Sequence, residues 1–99
     1  MTTEIKHNFT PRKRGSFDFM ADGLKLAEMA YVMAGDHKMI IEHTEVDDSL
    51  QGQGVGKRLL AELVAFVREH DIKVIPLCPF ANATFKKMKE WQDVLSDPH

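Results

Sequence analysis

The chain has 99 residues, which is enough for one small domain over 1–99 and excludes a second. Hydrophobic residues make up 43% of it, sufficient for one core, and a formal charge of −2 gives no general attraction to nucleic acid. Cys78 is the single cysteine, so no intrachain disulfide forms and a reducing compartment is expected.

The stretch "MTTEIKHNF" lacks the apolar core of a signal peptide, and no apolar run approaches membrane-spanning length. A cytoplasmic location with no membrane partner is therefore expected. "SFDFMA" (16–21) alternates Phe17 and Phe19 with polar residues, the pattern of a strand with one buried face. "ADG" (21–23) is a hairpin turn signal. The run "LKLAEMAYVMA" (24–34) is open to two readings: its Met and Ala content suits a helix, while Leu24, Leu26 and the closing "YVM" suit a strand between two turns. "AGDH" (34–37) is a second turn, and the β-branched "KMIIEHTEV" (38–46) is a strand. With 24–34 taken as a strand, three antiparallel strands form a meander.

The period then changes. Val55, Leu59, Leu60, Leu63, Val64 and Val67 recur at spacings of three and four, which places one apolar stripe along a helix. "IKVIPL" (72–77) is a short buried strand, and strand, helix, strand in this order predicts a crossover between parallel strands. Pro79 opens a further helix, with Ala81, Phe85 and Met88 facing the core and Lys86, Lys87 and Lys89 facing out. Trp91, Val94 and Leu95 pack back on the core. The predicted fold class is α+β: a mixed sheet, antiparallel meander first, then a parallel β-α-β crossover and a C-terminal helix. Basic residues cluster in "PRKRG", in Lys57-Arg58 and in "KKMK"; such clusters ordinarily make solvated surface.

Between strand and helix lies "QGQGVGKR", with glycines at 52, 54 and 56. A Walker loop needs four residues between its first glycine and the Gly-Lys pair, but only three lie between Gly52 and Gly56, and Arg58 stands where Ser or Thr would hold magnesium. The dinucleotide fingerprint fails as well, because Lys57 occupies the place of its third glycine. The pattern Q/R-x-x-G-x-G/A is matched by Gln51, Gly54 and Gly56. Unpaired N–H groups at a helix start attract an anion, and glycine lets a pyrophosphate approach the backbone. Lys57 and Arg58 add positive charge. A glycine-rich turn with no ligand is the competing reading.

From about residue 12 to residue 95 the sequence resembles the minimal, single-domain branch of the GNAT-type N-acetyltransferase superfamily, on "IEHTEV", "LQGQGVGKRLL", "REHDIKVIPLCPF" and the terminal "WQDVL". The resemblance implies acetyl-CoA or CoA as ligand and co-substrate, with the pyrophosphate on Gln51, Gly52, Gln53, Gly54, Val55, Gly56 and Lys57. It further implies a pantetheine arm lying between the strands at 38–46 and 72–77, against Thr44, Glu45, Val46, Cys78, Pro79 and Phe80.

Two residues are candidates for chemistry. Cys78 precedes Pro79 and so caps a helix, where N–H groups favour a thiolate; a small buried hydrophobe is the alternative. His43 falls by alternation on the face of Met39, Ile41 and Glu45, where it deprotonates an ammonium acceptor or polarises Cys78 across the sheet, or is simply satisfied by backbone. The resembling branch carries a cysteine and a "HT" pair at these places. The tyrosine that larger GNAT enzymes use as general acid is missing from "PFANATFKKM"; the one tyrosine is Tyr31, in an earlier strand. His7, His37, His70 and His99 have no metal-ligand spacing and are assigned to the surface, so no metal is expected.

The expected activity is transfer of acetyl from acetyl-CoA to a small-molecule or peptide amine, by direct attack or through Cys78. A CoA or acyl-CoA binding module without turnover is the alternative, and a small interaction domain a third. No nucleic-acid partner is expected, and either a monomer or a homodimer fits.

Overall fold

The first half of the chain builds strands wherever apolar and polar residues alternate. A computed structural model describes residues 2–9 and 13–96, so Pro11 and Arg12 of the first basic cluster, and His99, lie outside the described residues. The strands are β1 (Thr3–Phe9), β2 (Arg14–Ala21), β3 (Leu24–Met33), β4 (Lys38–Val46) and β5 (Lys73–Pro76), in one sheet of order β1-β2-β3-β4-β5. The first four run antiparallel, and β5 joins β4 in parallel. The helices are α1 (Val55–Glu69), between β4 and β5, and α2 (Pro79–Lys87) after β5; short 3-10 turns occupy Asp48–Leu50 and Lys89–Val94.

The meander has one strand more than the sequence suggested. β1 pairs along its whole length with β2, from Thr3 with Ala21 to Phe9 with Gly15. Its apolar alternation, Ile5-His7-Phe9, is broken by a histidine, and this hid it. His7 is not the surface residue expected: it is partly buried, its ring centroid is 4.0 Å from that of Phe17 in a stack, and Phe66 of α1 meets it edge-on. The segment 24–34 resolves to a strand, since the Asp22-Gly23 turn joins β2 directly to β3 and both neighbours supply ladders.

The core lies between the sheet and α1, which packs on β2, β3 and β4. Phe17, Phe19, Met29, Met39 and Ile41 meet the predicted helical stripe of Leu59, Leu60, Leu63, Val64 and Val67, all buried. Complete burial of one such aliphatic side chain stabilises the fold by about 1.5–3 kcal/mol. Ala81 and Phe85 of α2, with Val94, close the other end of the same core. Asp18 is buried too, although it lies on the opposite face of β2 from Phe17 and Phe19; its Oδ2 accepts a hydrogen bond from Asn8 at 2.7 Å.

One irregularity decides which side chains of β4 face the core. Ala30 pairs with His43, but the next residue, Tyr31, pairs with Ile41, so Glu42 is an extra residue in β4. A bulge of this kind reverses the alternation beyond it. Before Glu42 the odd residues Met39 and Ile41 are buried; after it, Thr44 pairs with Met29, on the core face. His43 and Glu45 instead share rows with Ala30 and Ser16, and with Glu28 and Asp18, on the opposite face.

Candidate functional site

The site begins where β4 and β5 part. Their ladder runs only from Lys38 with Lys73 to Ile41 with Pro76. The Ile41 carbonyl then accepts from both Leu77 N and Cys78 N, each at 3.1 Å, and β5 turns away into α2. Pro76 has no N–H with which to extend the ladder, and the Glu42 bulge bends β4 at the same level. Among the described residues, positions 42–46 of β4 therefore have no strand on this side.

The strand leads into the glycine loop. Asp47 accepts from Ser49 Oγ at 2.5 Å and from Ser49 N at 3.0 Å, which orders the short turn and holds the Asp47 carboxyl below its ordinary range. Gly52 and Gly54 have φ of 79° and 70°, a left-handed backbone that glycine adopts without strain. Gly54 is the N-cap of α1 and offers no side chain to it, and the first turn holds no acidic residue. The N–H groups of Val55, Gly56 and Lys57 have no backbone acceptor among the described residues. These are the exposed amides of a 15-residue helix, at its electropositive end.

Gly56 has a different role. A Cβ on it would lie 2.6 Å from Cζ of Phe80 and 2.9 Å from its Cε2. The missing side chain lets the Phe80 ring rest against the start of α1, joining α2 to the loop. Between them opens a cleft of about 450 Å³, lined by Val46, Leu50, Gln51, Gly52, Gly54, Val55, Gly56, Lys57, Phe80, Thr84, Lys87 and Met88. A slightly larger cleft of about 510 Å³ lies between α2, β5 and the last 3-10 turn; it includes Lys38, Asn82 and Lys86 but no helix N-terminus.

Eight of the expected ligand residues thus meet in one cleft: Val46, Gln51, Gly52, Gly54, Val55, Gly56, Lys57 and Phe80. Thr44, Glu45, Gln53, Cys78 and Pro79 are not in its lining. Glu45 points to the opposite face, into a separate recess with Lys25, Glu28 and Asp47. Gln53 turns back to donate to Ser49 O at 3.3 Å. Arg58, expected beside the loop, lies over the Phe19 ring, 5.2 Å from its centroid. Leu50 and Thr84 were not singled out in the sequence, and Lys87 and Met88, expected to face solvent and core, line the cleft instead. Thr84, Lys87 and Met88 follow Phe80 at four, seven and eight positions and so share its side of α2; that spacing was the available signal.

Cys78 is the N-cap of α2, as expected from Pro79, and is 3% exposed. Its sulfur makes no capping hydrogen bond to the helix; Sγ lies 3.2 Å from Thr44 Oγ1 instead. The bulge explains the partner. It turns Thr44, not His43, toward Cys78. His43, expected to share the Met39 and Ile41 face, lies on the opposite one, with Nε2 3.7 Å from Glu28 Oε2. Tyr31 is buried beneath Gly15 and its hydroxyl is 2.5 Å from His7 Nε2; burial raises the phenol pKa. Burial lowers the pKa of the partly buried His7, with His70 adding to the effect and Asp18 opposing it. Among the described residues no group of three His, Cys, Asp or Glu is placed to hold a metal ion, and no helix is long and apolar enough to cross a membrane.

Known proteins resemble this chain in sequence and in fold. A family model described as GCN5-related N-acetyl-transferase matches residues 16–94. A GCN5-like protein of Staphylococcus aureus, solved by NMR, is 34% identical, with a TM-score of 0.71 over 97% of this chain and 90% of that one. Protein NATD1 of Xenopus tropicalis is 34% identical over 68 residues, 68% of this chain and 62% of that protein. The chain therefore spans less than two thirds of that relative's length. A GNAT family acetyltransferase of Elizabethkingia anophelis with acetyl-CoA bound shares the fold at 11% identity, with a TM-score of 0.60 over 76% of this chain and 52% of that one.

Proposed function

Because the chain belongs to the GCN5-related N-acetyltransferase family, we propose that it binds acetyl-CoA in the cleft at the β4–β5 parting and transfers the acetyl group to an amine. One observation carries the reading: the uncapped start of α1, built on Gly52 and Gly54, opens into the same cleft as the unpaired end of β4. The N–H groups of Val55, Gly56 and Lys57 receive the pyrophosphate. The pantetheine arm lies along residues 44–46 as an added strand would, its amides bonding to the free backbone edge. The thioester then comes to rest near Thr44 and Cys78, where β5 turns away.

The transfer is an acyl exchange. A neutral amine attacks the thioester carbonyl, the C–S bond breaks, and the CoA thiolate leaves with the proton that the amine loses. Cys78, held by Thr44, relays that proton, giving its thiol proton to the CoA sulfur and regaining the one the amine loses. Cys78 is only 3% exposed and its Sγ is hydrogen-bonded to Thr44, which favours direct attack over an acetyl-cysteine. His43, half-exposed beside Glu28 on the opposite face, deprotonates an ammonium acceptor approaching there. It does not act on Cys78.

The experiment is a titration of the protein with acetyl-CoA, followed by measurement of free CoA released with a panel of amines. Submillimolar binding and amine-dependent release are expected. Binding without release from any amine would leave a CoA-binding module, and no binding would end the reading.

A further inference from the structure

Lys87 is the one charged contribution of α2 to the cleft, and it stands apart from the other cation there. Lys57 sits in the first turn of α1, beside the exposed amides. Lys87 closes the opposite wall, seven residues beyond Phe80, which is about 10 Å further along the α2 axis. Neither lysine is in any of the ion pairs among the described residues. Its neighbour Lys86 faces the second cleft, so the two adjacent lysines serve different surfaces. The cleft consequently carries positive charge at two separated places. A pyrophosphate on the loop amides uses only the first.

Resting on the proposed binding of CoA, we infer that Lys87 receives the phosphomonoester on the 3′ position of the CoA ribose and sets a preference for CoA over dephospho-CoA. That group carries close to two negative charges near neutral pH. The four methylenes of lysine let its ammonium follow a phosphate as a mobile point charge. Lys87 stands in the last turn of α2, where helix carbonyls favour a cation.

Calorimetric titration of CoA and dephospho-CoA into the unaltered protein, Lys87→Gln and Lys86→Gln tests this. The unaltered protein should bind CoA about fivefold more tightly than dephospho-CoA at low salt, the scale of an exposed ion pair to a multiply charged group. The preference should shrink as salt rises. Lys87→Gln should bring the two ligands within about twofold by weakening CoA alone, whereas Lys86→Gln should keep the preference. Equal binding by the unaltered protein, a preference that survives in Lys87→Gln, or a loss that falls equally on both ligands would overturn the inference and leave CoA binding intact. Failure of CoA itself to bind would remove both.

Discussion

Gly56→Ala separates a packing reason for a loop glycine from a backbone reason. Gly56 is helical and lacks the positive φ of Gly52 and Gly54, so alanine there gains about 1 kcal/mol in helix propensity. Against this, the new Cβ would sit 2.6 Å from Phe80 Cζ, and the ring must move. Phe80 is 40% exposed, which lets the ring swing outward rather than force the backbone apart, and overpacking of this kind costs about 1–3 kcal/mol. The net effect is a loss of about 1 kcal/mol, small against a total stability of about 5–15 kcal/mol, so the variant folds. Once Phe80 is alanine the obstruction is gone, and Gly56→Ala should then stabilise by about 1 kcal/mol. Urea denaturation of the four proteins in this cycle reads the sign directly. The same sign in both backgrounds refutes the packing role of Gly56. Because the Phe80 ring is part of the cleft wall, its displacement in the single variant should weaken acetyl-CoA binding by more than the stability change suggests.

Further outcomes follow from the same geometry. Acetyl-CoA and CoA should raise the melting temperature while NAD does not, with stabilisation of about 2.7 kcal/mol at a hundredfold excess over Kd; equal shifts from all three would leave a general anion site. Thr44→Val should cost about 0.5–1.5 kcal/mol in urea denaturation by removing the partner of Cys78 Sγ, and no loss would mean that the contact is incidental. Cys78 should alkylate with iodoacetamide more slowly than a free thiol and more slowly still with CoA bound; intact mass after acetyl-CoA alone should show no adduct, and an adduct removable by hydroxylamine would refute direct transfer. Because the folded pKa of His7 is lowered, the unfolded chain binds more protons just below pH 6.5, and stability is fully present above that value and declines as pH falls toward the folded pKa. The lowered carboxyls of Asp47 and Asp93 act only toward their ordinary 3.8 and below, so His7→Phe should remove the slope that begins below pH 6.5 and leave the acid limb unchanged.

The elements with strong local signals were legible from residues alone. The stripe from Val55 to Val67 specifies α1 because a 3.6-residue period has one way to bury itself, and β4 runs over the predicted 38–46 because β-branched residues lie between two turn signals. The glycines of the loop stand where a side chain is disfavoured, at two positive φ angles and one close ring contact. Three things were decided by tertiary structure. β1 hides its period behind His7, whose ring becomes apolar filling only once Phe17 and Phe66 surround it. Helical spacing puts Phe80, Thr84 and Lys87 on one face of α2, but only the packing of Phe80 against Gly56 turns that face to the loop. The face of His43 depends on one extra residue, Glu42, in the β3–β4 ladder. Alternation assumes an unbroken register, and a bulge belongs to the pairing of two strands rather than to either sequence; it therefore exchanged His43 for Thr44 as the partner of Cys78.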